Sequence, residues 1–220
     1  MRKLSPQARS APAPAGTADP VGKGLPQDSA WRHVAGSAIY VDDMPTYPNQ
    51  LHVATGRAPV ARGRLTRLDL SRVREAPGVV DVISAADIPG NGDIAPVFDG
   101  DPLLADGEVL YLGQPVFALA ATSFEAAQQA VALAEIDCEP LDAIVDLAAA
   151  VEREYYVLPP HEFCLREPEA ALLAAPLSLD GELAMAGQEH FYLEGQVATA
   201  EPTEEGGVHV YSSSQHPSEV

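Results

Sequence analysis

Hydrophobic and polar positions along this chain change period several times, and each change marks an element. Val79 to Ser84 reads Val-Val-Asp-Val-Ile-Ser, β-branched and preceded by the turn pair Pro77-Gly78, which predicts a strand. Val116 to Ala121 is an unbroken apolar run, the pattern of a strand buried on both faces. Ala134 to Glu139 alternates and predicts a further strand, with Cys138 in a core or half-buried position. Leu51 to Thr55 and Gly63 to Leu70 predict two more. In the second, Leu65, Leu68 and Leu70 break strict alternation, so a bulge is expected between them. Two helices interleave. Ser71 is placed to cap a short one through Glu75, stopped at Pro77-Gly78. Thr122 and Glu125 have capping-box spacing, and Phe124, Ala127, Val131 and Ala134 share one face of a helix from Ser123 to about Leu133. From about residue 27 to 145 the order is β-β-α-β, then β-α-β. That is an α+β layer, not a long βαβ repeat.

Beyond residue 145 the signals are weaker. Asp146 to Glu152 and Glu167 to Ala175 are Ala-rich helix candidates, the second closed by Pro176. Between them Tyr155 to Arg166 holds two prolines and His161, and reads as an irregular connector. Leu177 to Ala184 alternates and predicts a strand that runs on into Gly187–Gly195. Val197 to Ala200 and Val208 to Ser212 flank Gly206-Gly207, which predicts a hairpin. Ser212 to Glu219, with Pro217 in the first turn, has the signature of a helix start. At the other end, Ser5 to Pro20 is Pro, Ala, Gly and Ser with few large side chains. Residues 1–24 are therefore expected to be a flexible tail.

Composition narrows the classes. A hydrophobic share of 46% permits a real core, and a formal net charge of −19 argues against a nucleic-acid or anionic-membrane surface. No apolar run approaches the ~20 residues of a membrane helix. Such a balance suits a cytoplasmic protein. The two cysteines, Cys138 and Cys164, have no CxxC spacing and are expected as separate thiols. Asp42-Asp43 precedes Pro45 and reads as a turn cap. Pro89-Gly90-Asn91-Gly92 is a loop without phosphate-cradle spacing. His161 stands alone and reads as an exposed side chain.

The densest chemistry lies in Gly187-Gln188-Glu189-His190-Phe191-Tyr192-Leu193-Glu194-Gly195. An amide, two carboxylates, an imidazole and a phenol fall within nine residues. From composition alone this is a solvated edge strand with Phe191 and Leu193 facing inward. On strand spacing Gln188, His190 and Tyr192 share one face, and Glu189 lies with Phe191 and Leu193 on the other.

The wording of this run resembles the segment that begins the molybdenum-cofactor domain of xanthine dehydrogenases, in the molybdenum hydroxylase family. Gly22 to Ala30, Tyr40-x-Asp42-Asp43, Pro102 to Gly107 and Gly113 to Ala118 resemble further segments of that family. Gln27 stands where relatives usually carry His, and the Glu-x-Leu-Pro of relatives appears as Glu139-Pro140-Leu141-Asp142. The resemblance spans about residues 20–220 and implies an a/b hammerhead domain over 25–148, a connector over 149–180, and the first strands of a molybdopterin-binding domain over 181–220. Because it covers only the opening part of the family's large subunit, a fragment or truncated reading frame is expected.

The same resemblance implies a chemistry. Family members oxidise a heterocycle or aldehyde C–H to C–OH with oxygen from water. Electrons leave through a molybdenum–molybdopterin cofactor to iron–sulfur clusters, FAD and NAD. In the arrangement with separate subunits, Fe–S and FAD reside on a small subunit, and no cysteine cluster is present here. Gln188 is the residue carried over, as a hydrogen-bond donor to a molybdenum oxo group and not a ligand of the metal. A preorganised donor of that kind is worth up to roughly 3 kcal/mol. No catalytic residue is expected in this chain, since the family's base glutamate would lie downstream. The implied substrate is hypoxanthine or xanthine, and the implied partners are the small subunit and the remainder of the large one. Aldehyde oxidase or carbon monoxide dehydrogenase kinship, or a non-catalytic docking module, are the alternatives.

Overall fold

Two compact units organise the chain. The computed structural model describes residues 21–95 and 98–216. One unit joins the described residues up to Met44 with Tyr192–Gln215, and the other takes Pro45–Phe191. The helix start expected at Pro217 and most of the tail expected over 1–24 lie outside the described residues.

The larger unit is built on two antiparallel three-stranded sheets. In the first, β1 (His52–Arg57), β5 (Pro115–Ala121) and β3 (Val79–Ser84) lie in the order β1-β5-β3. The apolar run takes the centre because both of its neighbours cover its backbone groups, leaving Val116, Phe117, Leu119 and Ala121 to enter the core. In the second, β4 (Glu108–Val109), β2 (Gly63–Asp69) and β6 (Glu135–Pro140) lie in the order β4-β2-β6. The expected bulge falls between Leu65 and Arg67, where Thr66 Oγ1 donates to the Asp137 carbonyl at 3.0 Å. Leu65, Leu68, Ile136 and Cys138 are partly buried against the same core. Helix α3 (Phe124–Val131) packs on β1 and β5 through Ala127 and Ala130, and α2 (Ser71–Arg74) adds Val73.

Close packing explains two glycines. A Cβ on Gly56 would overlap the ring of Phe117 on the neighbouring strand. A Cβ on Gly63 would stand 2.8 Å from the Glu139 carbonyl oxygen. The outer side of the second sheet is held by charge. Arg67 meets Glu135 at 2.7 Å and Asp69 at 3.0 Å, and Arg64 meets Glu139 at 3.0 Å, so a basic β2 answers an acidic β6.

Several expectations are corrected by one residue. Ser71 is the first helical residue and not the cap. Its amide and hydroxyl both donate to Asp69 Oδ1, at 3.0 and 2.6 Å. Ser123, not Thr122, caps α3, its Oγ accepting from Ala126 N–H at 3.1 Å. Phe124 is 57% exposed, because the buried stripe of α3 runs through Ala127 and Ala130 instead. The short β4 was not expected, since two residues carry no period.

Beyond β6, helices α4 (Leu147–Glu152) and α5 (Pro168–Ala174) form as predicted, α4 capped by Asp146, whose Oδ1 accepts from Ala149 N–H at 2.8 Å. The strand predicted over Leu177–Ala184 does not form. No described strand pairs with it, and an extended segment without a ladder partner gains no backbone bonds from being a strand.

In the smaller unit, β7 (Ala198–Pro202) and β8 (Val208–Ser212) form the predicted hairpin, closed by Gly206 at φ +81°. A one-turn helix α1 (Ala30–Val34) and a 3-10 turn over Val41–Asp43 complete it. Asp43 caps that turn as expected, accepting from Tyr40 N–H at 3.4 Å.

Candidate cofactor-binding site

The run Gly187–Gly195 is irregular, with a bend at Leu193 and Glu194, and is not a strand. Phe191 has φ +49°, in the left-handed region, and this interrupts the two-residue alternation. The shared face expected for Gln188, His190 and Tyr192 is therefore not realised. Glu189 Oε1 accepts from Phe191 N–H at 3.4 Å, a local bond within the run.

Gln188 is exposed, and no hydrogen-bond partner is recorded for it among the described residues. Its amide offers two donors and its carbonyl two acceptor sites, none claimed by a described protein group. That donor chemistry fits an oxo group on a metal centre, which accepts and has no proton to donate. His190 is likewise exposed. No group of three His, Cys, Asp or Glu side chains among the described residues is arranged to hold a metal. These side chains thus offer hydrogen bonds rather than ligation.

The C-terminal end of the run is tied down. Glu194 Oε1 accepts from the Val41 amide at 2.9 Å. Ser213 Oγ donates to the Gly195 carbonyl at 2.8 Å and accepts from Val197 N–H at 3.0 Å, which joins the run to the base of the β7–β8 hairpin. No local sequence pattern signals the partner of Glu194, which lies 153 residues away.

The other singled-out residues do not gather here. Cys138 is half-buried in β6, and burial followed by the Asp137 charge pushes its thiol pKa up, which keeps it protonated and unreactive. Cys164 is exposed and donates to Glu162 at 3.3 Å. His161 is exposed in the connector. A shallow cleft lined by Arg64, Leu65, Gly107, Glu108 and Leu141 includes no residue of the run. Sequence reasoning also passed over Gln114, which is fully buried. Its Oε1 accepts from Leu110 N–H at 2.7 Å while its Nε2 lacks a partner. The signal was there: a lone amide set directly before a fully apolar strand. No helix among the described residues is long and apolar enough to cross a membrane.

Residues 35–142 match the model of the aldehyde oxidase and xanthine dehydrogenase a/b hammerhead domain, and residues 155–220 match that of the molybdopterin cofactor-binding domain. Aldehyde oxidase 4 of Mus musculus is 34% identical over 206 residues, covering 92% of this chain and 15% of that protein. Xanthine dehydrogenase of Drosophila pseudoobscura pseudoobscura is 34% identical over 205 residues, again 92% of this chain and 15% of that protein. Among solved structures, the aldehyde oxidoreductase from Desulfovibrio gigas superposes with a TM-score of 0.70 at 26% identity, over 86% of this chain and 23% of that one. The chain thus spans about 15% of the length of the curated relatives it matches.

Proposed function

The chain belongs to the aldehyde oxidase and xanthine dehydrogenase family of molybdenum hydroxylases, and on that premise we propose that it forms part of an enzyme oxidising hypoxanthine and xanthine to urate. Water is the oxygen source. The observation that carries the reading is the run Gly187–Gly195, with the unclaimed amide of Gln188, lying inside the segment that matches a molybdopterin cofactor-binding domain. When bound, the molybdenum–molybdopterin group supplies the C–H oxidation and takes up two electrons. The work assigned to this chain is narrower. Gln188 donates an amide N–H to an oxygen of the metal centre, where a glutamate would repel that oxygen and, when ionised, have no proton to donate.

The rest of the proposal follows the family. Fe–S clusters and FAD sit on a partner small subunit, the base glutamate lies in the remainder of the large subunit, and the enzyme is cytoplasmic. The hammerhead domain is taken as 25–148, the connector as 149–180 and the cofactor domain as starting at 181. A second reading, aldehyde oxidation, is favoured by aldehyde oxidase 4 standing at the same 34% identity as xanthine dehydrogenase.

The test is molybdenum content and intact mass of the protein purified from its host, followed by turnover with xanthine and with an aromatic aldehyde. Stoichiometric molybdenum and xanthine turnover are expected. Turnover of the aldehyde alone would replace the substrate, and a metal-free protein bound to a small subunit would reduce the chain to a docking module. Gln188→Ala in the complete enzyme should lower kcat by up to about a hundredfold or release the cofactor. Wild-type turnover and molybdenum content in that variant would remove Gln188 from the site.

A further inference from the structure

At the 3-10 turn over Val41–Asp43, three backbone amides find acceptors within the turn. Asp43 N–H donates to the Tyr40 carbonyl at 3.0 Å, Met44 N–H to the Val41 carbonyl at 3.2 Å, and Tyr40 N–H to Asp43 Oδ2 at 3.4 Å. Val41 N–H has no acceptor within the turn, as is usual for the opening amides of a helical turn. The acceptor comes from Glu194, far along the chain, at 2.9 Å. This is the shorter and better of the two carboxylate contacts at the turn. Glu194 is half-buried, whereas Phe191, Tyr192, Leu193 and Gly195 around it are exposed. One residue further on, the Gly195 carbonyl is held independently by Ser213. Two consecutive residues that close the run are thus fixed to two different elements of one compact unit.

We propose that Glu194 is a positioning residue. Its Oε1 pins the C-terminal end of the Gly187–Gly195 run to the Tyr40–Asp43 turn, and so fixes the chain six residues after Gln188. The role requires an acceptor oxygen at that point and not a negative charge. A residue acting as proton donor or acceptor toward substrate would need the ionisable group itself. The functional meaning rests on the reading of Gln188 given above, but the bond to Val41 is read independently of it.

The test is residue-resolved amide hydrogen exchange on the full chain for wild type, Glu194→Ala and Glu194→Gln. In Glu194→Ala the Val41 amide should exchange about tenfold faster, the scale of one lost hydrogen bond to a charged group. In Glu194→Gln, which keeps Oε1, it should stay near the wild-type rate. The amides of the β7–β8 ladder, in the same unit as Val41 and Glu194, should be unchanged in both, which reports that this unit stays folded. Val41 exchange unaffected by Glu194→Ala, or equally fast in Glu194→Gln, overturns the proposal. In the complete enzyme, molybdenum retention should fall in Glu194→Ala and recover in Glu194→Gln. Full retention in Glu194→Ala beside loss in Gln188→Ala would overturn the positioning role and leave the Gln188 reading standing. If instead Gln188→Ala is silent while Val41 responds as expected, the Gln188 reading fails and the anchor stands.

Discussion

Phe117 and Phe191 both lie in segments that the sequence reads as strands, and they end in opposite places. Phe117 is fully buried at the centre of β1-β5-β3, while Phe191 is 93% exposed in a run with no strand partner. The same contrast separates the residues from β1 to β6 from the stretch between α5 and β7. In the first, the apolar run of β5 finds a strand on either side and α3 packed against it. In the second, Leu177, Leu179, Leu183 and Leu193 keep their spacing and stay in solvent. The lesson is that alternation sets which side chains share a face, whereas a second surface decides whether that face is worth forming.

The largest effect expected from this contrast is on stability. Phe117→Ala should cost about 3–5 kcal/mol in urea unfolding, from lost burial plus a cavity. Phe191→Ala in the same chain should fall within about 0.5 kcal/mol of wild type, as for an exposed site. Equal costs would erase the distinction between the two regions. Gly56→Ala should come next, at about 1–3 kcal/mol by the same measurement, because the new methyl overlaps the Phe117 ring and β1 or β5 must shift. An Ala as stable as Gly there would mean that the strand pair has slack.

The smallest effect is on loops that hold themselves by carboxylates. The Asp93 carboxyl is held below the ordinary aspartate range by backbone donors, first Ala95 and then Gly100, the latter at 2.6 Å. Asp87 is lowered by the Ser84 amide and hydroxyl, and Asp69 by the Ser71 hydroxyl and amide, then Arg67. A folded value below the unfolded one means stabilisation fully present above about pH 4, lost as pH falls through the lower folded values. The Gly100 amide resonance should therefore shift in wild type only below about pH 4. It should not titrate in Asp93→Asn, and a titration that persists there would assign the loop's acid sensitivity to another group.

Much of the packed region was legible. Val79–Ser84 is a strand with the expected limits, Val116–Ala121 gains only Pro115, and the bulge in β2 falls between the leucines that announced it. Short-range patterning carried these, because β-branched runs and turn residues act over a few positions. Caps were legible to within a residue. Asp69 accepts from the Ser71 amide and Ser123 from the Ala126 amide, and only the backbone path settles which oxygen reaches. In the candidate site, the identity of Gln188 was readable from the wording of the run, whereas its exposure and the left-handed backbone at Phe191 were not.

By itself, then, the sequence determined the period of each segment, the acidic surface, the hairpin at Gly206-Gly207, and the run that ties the chain to the molybdenum hydroxylases. Tertiary structure alone decided that β5 lies between β1 and β3, that Gly56 faces Phe117, and that Glu194 meets the Val41 amide across 153 residues. Strand order and long-range bonds join residues that no local pattern links, so only the packed chain selects among their possible partners.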